Sequence, residues 1–374
     1  MKLIHVVGAR PNFMKVAPVH QSIACYPGIR QILVHTGQHY DLNMSDIFFQ
    51  QLGLPAPDIN LEVGSGSHAV QTAQIMMRFE ETVLKEKPDL VLVYGDVNST
   101  VAAALVCAKL RIPVAHVEAG LRSFDRTMPE EINRLMTDQI ADLLFTPSRE
   151  GDENLLREGV APGKIHFVGN VMIDTLVRLL PAAETLWPQL ASSLNLSAHG
   201  YGLVTLHRPS NVDEPQMLAA ILETLGEISD RLPILFPIHP RTRNRIREAK
   251  LDVAINGRLQ LIEPIGYLDF LCLQKQARML ITDSGGIQEE TTYLGVPCLT
   301  VRENTERPVT VSMGTNILVG QDMGRLRKEA AAILEGGAKQ GGVPPLWDGK
   351  AGERIAAVLA KVFGEELNNN QRDA

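Results

Sequence analysis

Three acids and a histidine lie at the ends of short apolar runs or in the segments that follow them: Asp96 in GDVNST, Glu118 in HVEAGLR, Glu130 in MPEEINR and His207 in LHRPSN. Carboxylates and an imidazole gathered at one place suit abstraction and return of a proton. Cations stand in equivalent positions: Arg10 and Lys15 in GARPNFMK, Arg122 in HVEAGLR, Arg134 in MPEEINR, Arg208 beside His207, and His239 in HPRTR. Cations so placed suit a phosphorylated ligand. Each group also has a plain structural reading. Glu130 and Arg134 have the spacing of an i,i+4 surface pair. Asp96 fits a turn, Glu118 and Arg122 could pair with each other, and His207 could be a satisfied histidine at a strand end.

The stretch DSGGIQEE adds Ser284, Gly285, Gly286 and Glu290. A strand, a Ser-Gly-Gly turn and a helix start turn free backbone N–H groups toward a ligand, and the helix dipole favours an anion. The plainer reading is a tight turn with Asp283 or Ser284 as N-cap. Glu290, one turn into the helix, is placed to accept hydrogen bonds from a ribose.

These residues need elements to carry them. Apolar runs at 2–7, 31–36, 89–95, 113–118, 143–147 and 164–169 are rich in Val, Ile and Leu, as strands buried on both faces should be. Helical segments separate them, among them PEEINRLMTDQIADLL, where Ile132, Leu135, Met136, Ile140, Leu143 and Leu144 recur at helical spacing. A second strand set follows at 201–207, 233–239, 259–264, 278–283 and 297–301. The order predicts two α/β halves, each a parallel sheet with helices on both faces, meeting near residue 170. Ligands of such sheets bind beyond the carboxyl ends of the strands, where all the residues above lie.

Composition narrows the ligand. With a length of 374 residues and a net charge of −7, the chain is not that of a nucleic-acid binder. No G-x-G-x-x-G follows a strand and no Walker A loop is present, since GVAPGKI is a residue short and lacks its Ser or Thr. No zinc-type spacing occurs. A nucleoside diphosphate ester handled without metal or nicotinamide remains. Cys25, Cys107, Cys272 and Cys298 form no CxxC pair and are expected as small buried hydrophobes in a reducing compartment. The N-terminus does not read as a signal peptide, and no apolar stretch approaches the roughly 20 residues of a membrane span. A cytoplasmic protein is expected.

Together the stretches GARPNFMKVAP, TGQHYD, VLVYGDVNST, HVEAGLRS, MPEEINR, GNVMID, VTLHRPSN, PIHPR, ITDSGGIQEE and RENTERP resemble the non-hydrolysing UDP-N-acetylglucosamine 2-epimerases, over nearly the whole chain. The resemblance implies two Rossmann-like domains in a GT-B arrangement, 1–170 and 171–352, with a C-terminal helix at 353–370 crossing back to the first. The site would lie in the interdomain cleft. It implies interconversion of UDP-GlcNAc and UDP-ManNAc without cofactor, by elimination of UDP and its re-addition through a 2-acetamidoglucal. Asp96, Glu118, Glu130 and His207 would be catalytic. Arg10, Ser284 and Gly285 would hold the diphosphate, Glu290 the ribose, and Lys15 would be a further site residue. A homodimer is implied as well.

One departure concerns a second, regulatory UDP-GlcNAc site found in some members. Gln38 and His39 are kept, but Asp41 stands where a Gln is usual and Gln74 where an Arg is usual. An added negative charge and a lost positive one weaken diphosphate binding, so weak or absent UDP-GlcNAc activation is expected. A rate curve hyperbolic in UDP-ManNAc alone would bear this out, and strict dependence on added UDP-GlcNAc would count against it. TGQHYD is also similar to relatives acting on UDP-2,3-diacetamido uronic acids. A hydrolysing 2-epimerase, a GT-B glycosyltransferase and an inert sugar-nucleotide binder would also fit a UDP-sugar cleft.

Overall fold

The computed structural model describes residues 1–37, 51–251 and 258–370, with the side chains of Arg10 and of 363–370 outside that description. The chain forms two compact units, Met1–Thr175 with Pro345–Ala374, and Leu176–Pro344.

In the first unit, strands β1 (Lys2–Val7), β2 (Arg30–His35), β3 (Ile59–Asn60), β4 (Leu90–Tyr94), β5 (Val114–Val117), β6 (Leu143–Thr146) and β7 (Ile165–Phe167) form one sheet ordered β3-β2-β1-β4-β5-β6-β7. All its pairings are parallel. Every residue of β4 is buried, which is why the run LVLVY shows no alternation. The second unit repeats the plan with β8 (Gly202–Thr205), β9 (Ile234–Pro237), β10 (Leu259–Ile262), β11 (Met279–Thr282), β12 (Cys298–Thr300) and β13 (Asn316–Leu318), ordered β10-β9-β8-β11-β12-β13. Both are Rossmann-like sheets. In each the strand order reverses once, between β1 and β4 and between β8 and β11, and such a reversal opens a crevice at the carboxyl ends.

The segment from Pro345 joins the first unit through specific bonds. Trp347 Nε1 donates to Pro147 O at 2.9 Å. Asp174, buried, accepts the N–H groups of Ala351 (3.1 Å) and Gly352 (2.7 Å), the opening of the helix Ala351–Asn370. That helix packs on Arg10–Ile23.

Three expectations are corrected. The helix at 129 ends at Ile140, and Leu143 and Leu144 belong to β6. Its buried side is polar (Glu131, Asn133, Arg134, Thr137 and Asp138), while Met136 is 44% exposed. The apolar repeat therefore does not mark the buried face; ion pairs do. Cys25 is exposed, and only Cys107, Cys272 and Cys298 are buried. The edge strands β3 and β13, two and three residues long, were not anticipated, because so short an apolar run carries no period.

Candidate active site

At the first reversal, Asn12 locks the turn after β1 to the end of β4. Its Oδ1 accepts from Gly8 N (3.0 Å) and Ala9 N (3.1 Å), and its Nδ2 donates to Tyr94 O (2.8 Å). Arg10 begins the helix that follows, Arg10–Ile23. Lys15, one turn further, extends its ammonium to 2.6 Å from Glu118 Oε1, and both side chains are buried. The lysine passes so close over Gly95 that a Cβ there would lie 2.5 Å from Nζ, and Gly95 itself has a φ of +62°. Lys15 was expected to face phosphate; it is instead paired with an acid.

Glu118 has a φ of +73°, a left-handed backbone that disfavours a side chain of this size. Two bonds hold it there, since Glu118 N (3.1 Å) and Ala119 N (2.9 Å) both donate to Phe145 O at the end of β6. Strain imposed by surrounding structure is a common mark of a functional position.

Asp96 lies beyond β4 and is partly exposed. Arg134 Nη1 reaches its Oδ2 at 2.5 Å, and Asn133 Nδ2 donates to its carbonyl at 2.8 Å. Arg134 also bonds the buried Glu131, at 2.6 Å from Nη2. Burial works against the charge of Glu131, but the Ser123 N–H, the Arg134 guanidinium and the Phe124 N–H hold its carboxyl below the usual range. The plain structural alternative, a pairing of Glu130 with Arg134, does not form among the ion pairs of the described residues. Arg134 is turned inward, and Glu130 shares with Asp96, Asn98, Asn133, His68 and Gln71 a pocket of about 290 Å³.

The ion pair of Glu118 with Arg122 is likewise absent. Arg122 is buried, and its Nη1 donates to Asp138 (2.7 Å) while Nε and Nη2 donate to Glu158 (2.8 and 2.6 Å). Burial opposes its charge, and the two carboxylates raise its pKa overall. Expected as ligand-binding groups, Arg122 and Arg134 are here the counter-ions of buried acids.

At the second reversal, Asp283 closes β11 and His207 follows β8. The Asp283 carboxylate, fully buried, lies 2.9 Å from His207 Nδ1, whose side chain is 60% exposed. It also accepts from Arg208 N (2.9 Å) and Asn211 Nδ2 (3.0 Å). Burial would raise its pKa, but His207, Asn211 and the Arg208 N–H hold it low. Asp283 is thus not a helix cap but the anchor that orients His207. Sequence reasoning missed this role, although the two strand ends ITD and VTLH lie on strands that the observed order makes adjacent. Arg208 Nε donates to Asp283 O at 3.2 Å.

Ser284 precedes the helix Gly285–Leu294, which begins without a side-chain cap. Ser284, Gly285 and Gly286 are all partly exposed. A Cβ at Gly285 would meet the side-chain ends of Arg307 and Glu306 of RENTERP and force them to shift. Those two form a buried network, with Arg307 Nε at 2.8 Å from Glu289 and Arg302 Nη2 at 2.7 Å from Glu306. His239 is exposed and caps its own helix, accepting from Arg241 N at 3.2 Å.

Glu290 is buried against Tyr267 Oη (2.9 Å to Oε1) and the Gln274 amide (2.9 Å to Oε2). Burial pushes its pKa up, the Tyr267 bond counters, and neighbouring Glu289 adds to the rise, giving about 7 against an ordinary 4.5. With the folded value the higher one, this carboxyl's contribution to stability is complete below its unfolded pKa of about 4.5 and is lost as pH rises through about 7. Melting temperatures of wild type and Glu290→Gln across that window are expected to converge on the alkaline side as the wild type falls. Parallel curves would show that Glu290 does not titrate there.

Gln74 is partly buried in the helix His68–Glu86, while Gln38, His39 and Asp41 lie outside the described residues. Among the described residues no acid, His or Cys cluster could hold a metal, and no helix is long and apolar enough to cross a membrane.

Fold and site together define a two-unit Rossmann-like α/β protein, with ionised groups gathered at the carboxyl ends of both sheets. A family model described as UDP-N-acetylglucosamine 2-epimerase matches residues 21–360. The chain belongs to the UDP-N-acetylglucosamine 2-epimerase family. It is 46% identical to the UDP-N-acetylglucosamine 2-epimerase of Methanocaldococcus jannaschii, covering 96% of this chain and 99% of that one. It is 43% identical to the UDP-2,3-diacetamido-2,3-dideoxy-D-glucuronate 2-epimerase of Pseudomonas aeruginosa, over 97% and 100%. The crystal structure of the Methanocaldococcus jannaschii enzyme in complex with UDP-GlcNAc and UDP superposes with a TM-score of 0.88, covering 96% of this chain and all of that one.

Proposed function

We propose that this chain interconverts UDP-GlcNAc and UDP-ManNAc without net hydrolysis. The observation that carries the reading is the arrangement at the first reversal. Two acids at the ends of neighbouring strands, Glu118 and Asp96, are each held by a cation, Lys15 and Arg134, and Asp96 shares its pocket with Glu130. Opposed proton transfers at one carbon need more than one carboxyl group, and held carboxyls lose little freedom on reacting.

In the proposed reaction, one of these acids takes the C2 proton as the C1–O bond breaks. UDP leaves with the electron pair, and a 2-acetamidoglucal remains. A second acid then delivers a proton to the opposite face of C2, and the UDP oxygen attacks C1 again. Every heavy atom of the substrate is conserved, and one proton is delivered to C2 for the one removed. The C2 proton is weakly acidic, so departure of UDP must assist its removal. Arg10, Arg208, His239 and the turn Ser284–Gly286 are proposed to stabilise the diphosphate, His207 to assist at the same end, and Glu290 to receive the ribose. The same chemistry fits a 2,3-diacetamido uronic acid substrate, and the 43% identity to the Pseudomonas aeruginosa enzyme keeps that second reading open to test. A cytoplasmic homodimer completes the proposal.

Departure and return of UDP have an isotopic signature. UDP-GlcNAc carrying heavy oxygen in the C1–O–P bridge is expected to return with the label scrambled into non-bridging positions, at a rate no slower than epimerisation. Epimerisation with the label unmoved contradicts the elimination.

A further inference from the structure

His116, within β5, is entirely buried and takes no part in the reaction just described. Its two ring nitrogens are both engaged. Nε2 lies 2.8 Å from Gly95 O, and a carbonyl only accepts, so Nε2 carries a hydrogen. Nδ1 lies 2.7 Å from Asp138 Oδ1. The other oxygen of Asp138 accepts from Arg122 Nη1 (2.7 Å) and from Gly120 N (3.1 Å). With two N–H donors on that oxygen, one of them a guanidinium, Asp138 is bonded as an ionised carboxylate. An ionised carboxylate also only accepts, so Nδ1 carries a hydrogen too.

Charge balance points the same way. Two carboxylates, Asp138 and Glu158, meet one guanidinium, Arg122. Glu158 is partly exposed but draws on the same guanidinium, so with a neutral imidazole the fully buried Asp138 would have only a shared counter-charge, which is costly. A doubly protonated His116 closes the cluster. The charged groups bonded within it come from three elements: Arg122 from the turn after β5, Asp138 from the helix Pro129–Ile140, and Glu158 from the end of the helix Arg149–Arg157. The pairs Lys15–Glu118 and Asp96–Arg134 stand next along the chain.

We propose that His116 is a positioning residue, a buried imidazolium that fixes the backbone beside both acids of the first unit. It holds the Gly95 carbonyl, immediately before Asp96. Through Asp138 it also holds the Gly120 amide, two residues after Glu118. Glu118 occupies a left-handed backbone, so release of either tether lets its turn relax toward a more favourable conformation. The functional consequence rests on the assignment of Asp96 and Glu118 to proton transfer; the protonation state does not.

The decisive experiment is nitrogen NMR on the full chain with labelled histidine, with His116 assigned through its backbone connection. Both ring nitrogens are expected to show the protonated pattern, each carrying a hydrogen. A neutral single-tautomer pattern overturns the inference. A second measurement tests the consequence. His116→Gln keeps one side-chain donor but supplies no cation, and is expected to lower kcat about 10- to 100-fold with KM little changed. A folded variant with wild-type kcat overturns the positioning role. Should the wild type prove inactive on UDP-GlcNAc, the proposed function fails while the NMR result still decides the charge on His116.

Discussion

Glu118→Gln is expected to lower kcat by about 100- to 10,000-fold while KM stays close to wild type, the pattern of a lost proton carrier rather than lost binding. The amide matches the carboxylate in size, and the tethers of Glu118 N and Ala119 N to Phe145 O are backbone bonds that survive the change. What is lost is the capacity to accept a proton. A complication is Lys15, which is buried and would face a neutral amide. Leaving one member of a buried pair alone costs about 3–5 kcal/mol, whereas neutralising both is well tolerated. The double variant Lys15→Met, Glu118→Gln should therefore recover most of the melting temperature lost in the single one and recover none of the rate. If the double variant restores turnover, Glu118 is structural and the proton carrier lies elsewhere.

Arg122→Met is expected to destabilise the protein by about 3–5 kcal/mol, read from urea unfolding, because it removes the one guanidinium bonded to both Asp138 and Glu158 and leaves the fully buried Asp138 with His116 alone. In the fraction that remains folded, KM for the UDP-sugar should be unchanged. This separates two readings of HVEAGLR. An arginine at a strand exit suggests a ligand contact, and a raised KM at undiminished stability would reinstate it. The bonding observed favours a counter-ion, because all three bonds from the guanidinium to other side chains end on the carboxylates of Asp138 and Glu158.

That contrast shows what could be read from the sequence. Buried parallel strands announce themselves through runs such as LVLVY, and the groups at their ends can be enumerated without knowing the strand order. The residues at the carboxyl ends of both sheets were therefore visible in outline, but the reversals among them were not. Which side chain bonds which was not. Arg134 could be matched to Glu130 or Glu131 by helical spacing, but its bond to Asp96 depends on how the helix rolls against its neighbours, and that roll follows the buried polar face rather than the apolar repeat. Asp283 looked like a cap because its local sequence is that of a turn. Its bond to His207 requires β8 and β11 to be neighbours, a pairing of segments 76 residues apart. His116 gave no signal, since a histidine inside an apolar run shows neither its tautomer nor its partner.

Proton NMR of UDP-GlcNAc incubated with the purified protein in D2O, with no added metal or nicotinamide, tests the central claim most directly. Deuterium at C2 of the UDP-ManNAc formed, and in time at C2 of the recovered UDP-GlcNAc, is the expected result. UDP-ManNAc that keeps its original hydrogen at C2 would contradict proton exchange through Asp96, Glu118 and Glu130, and free ManNAc with UDP would place the chain with hydrolysing enzymes instead.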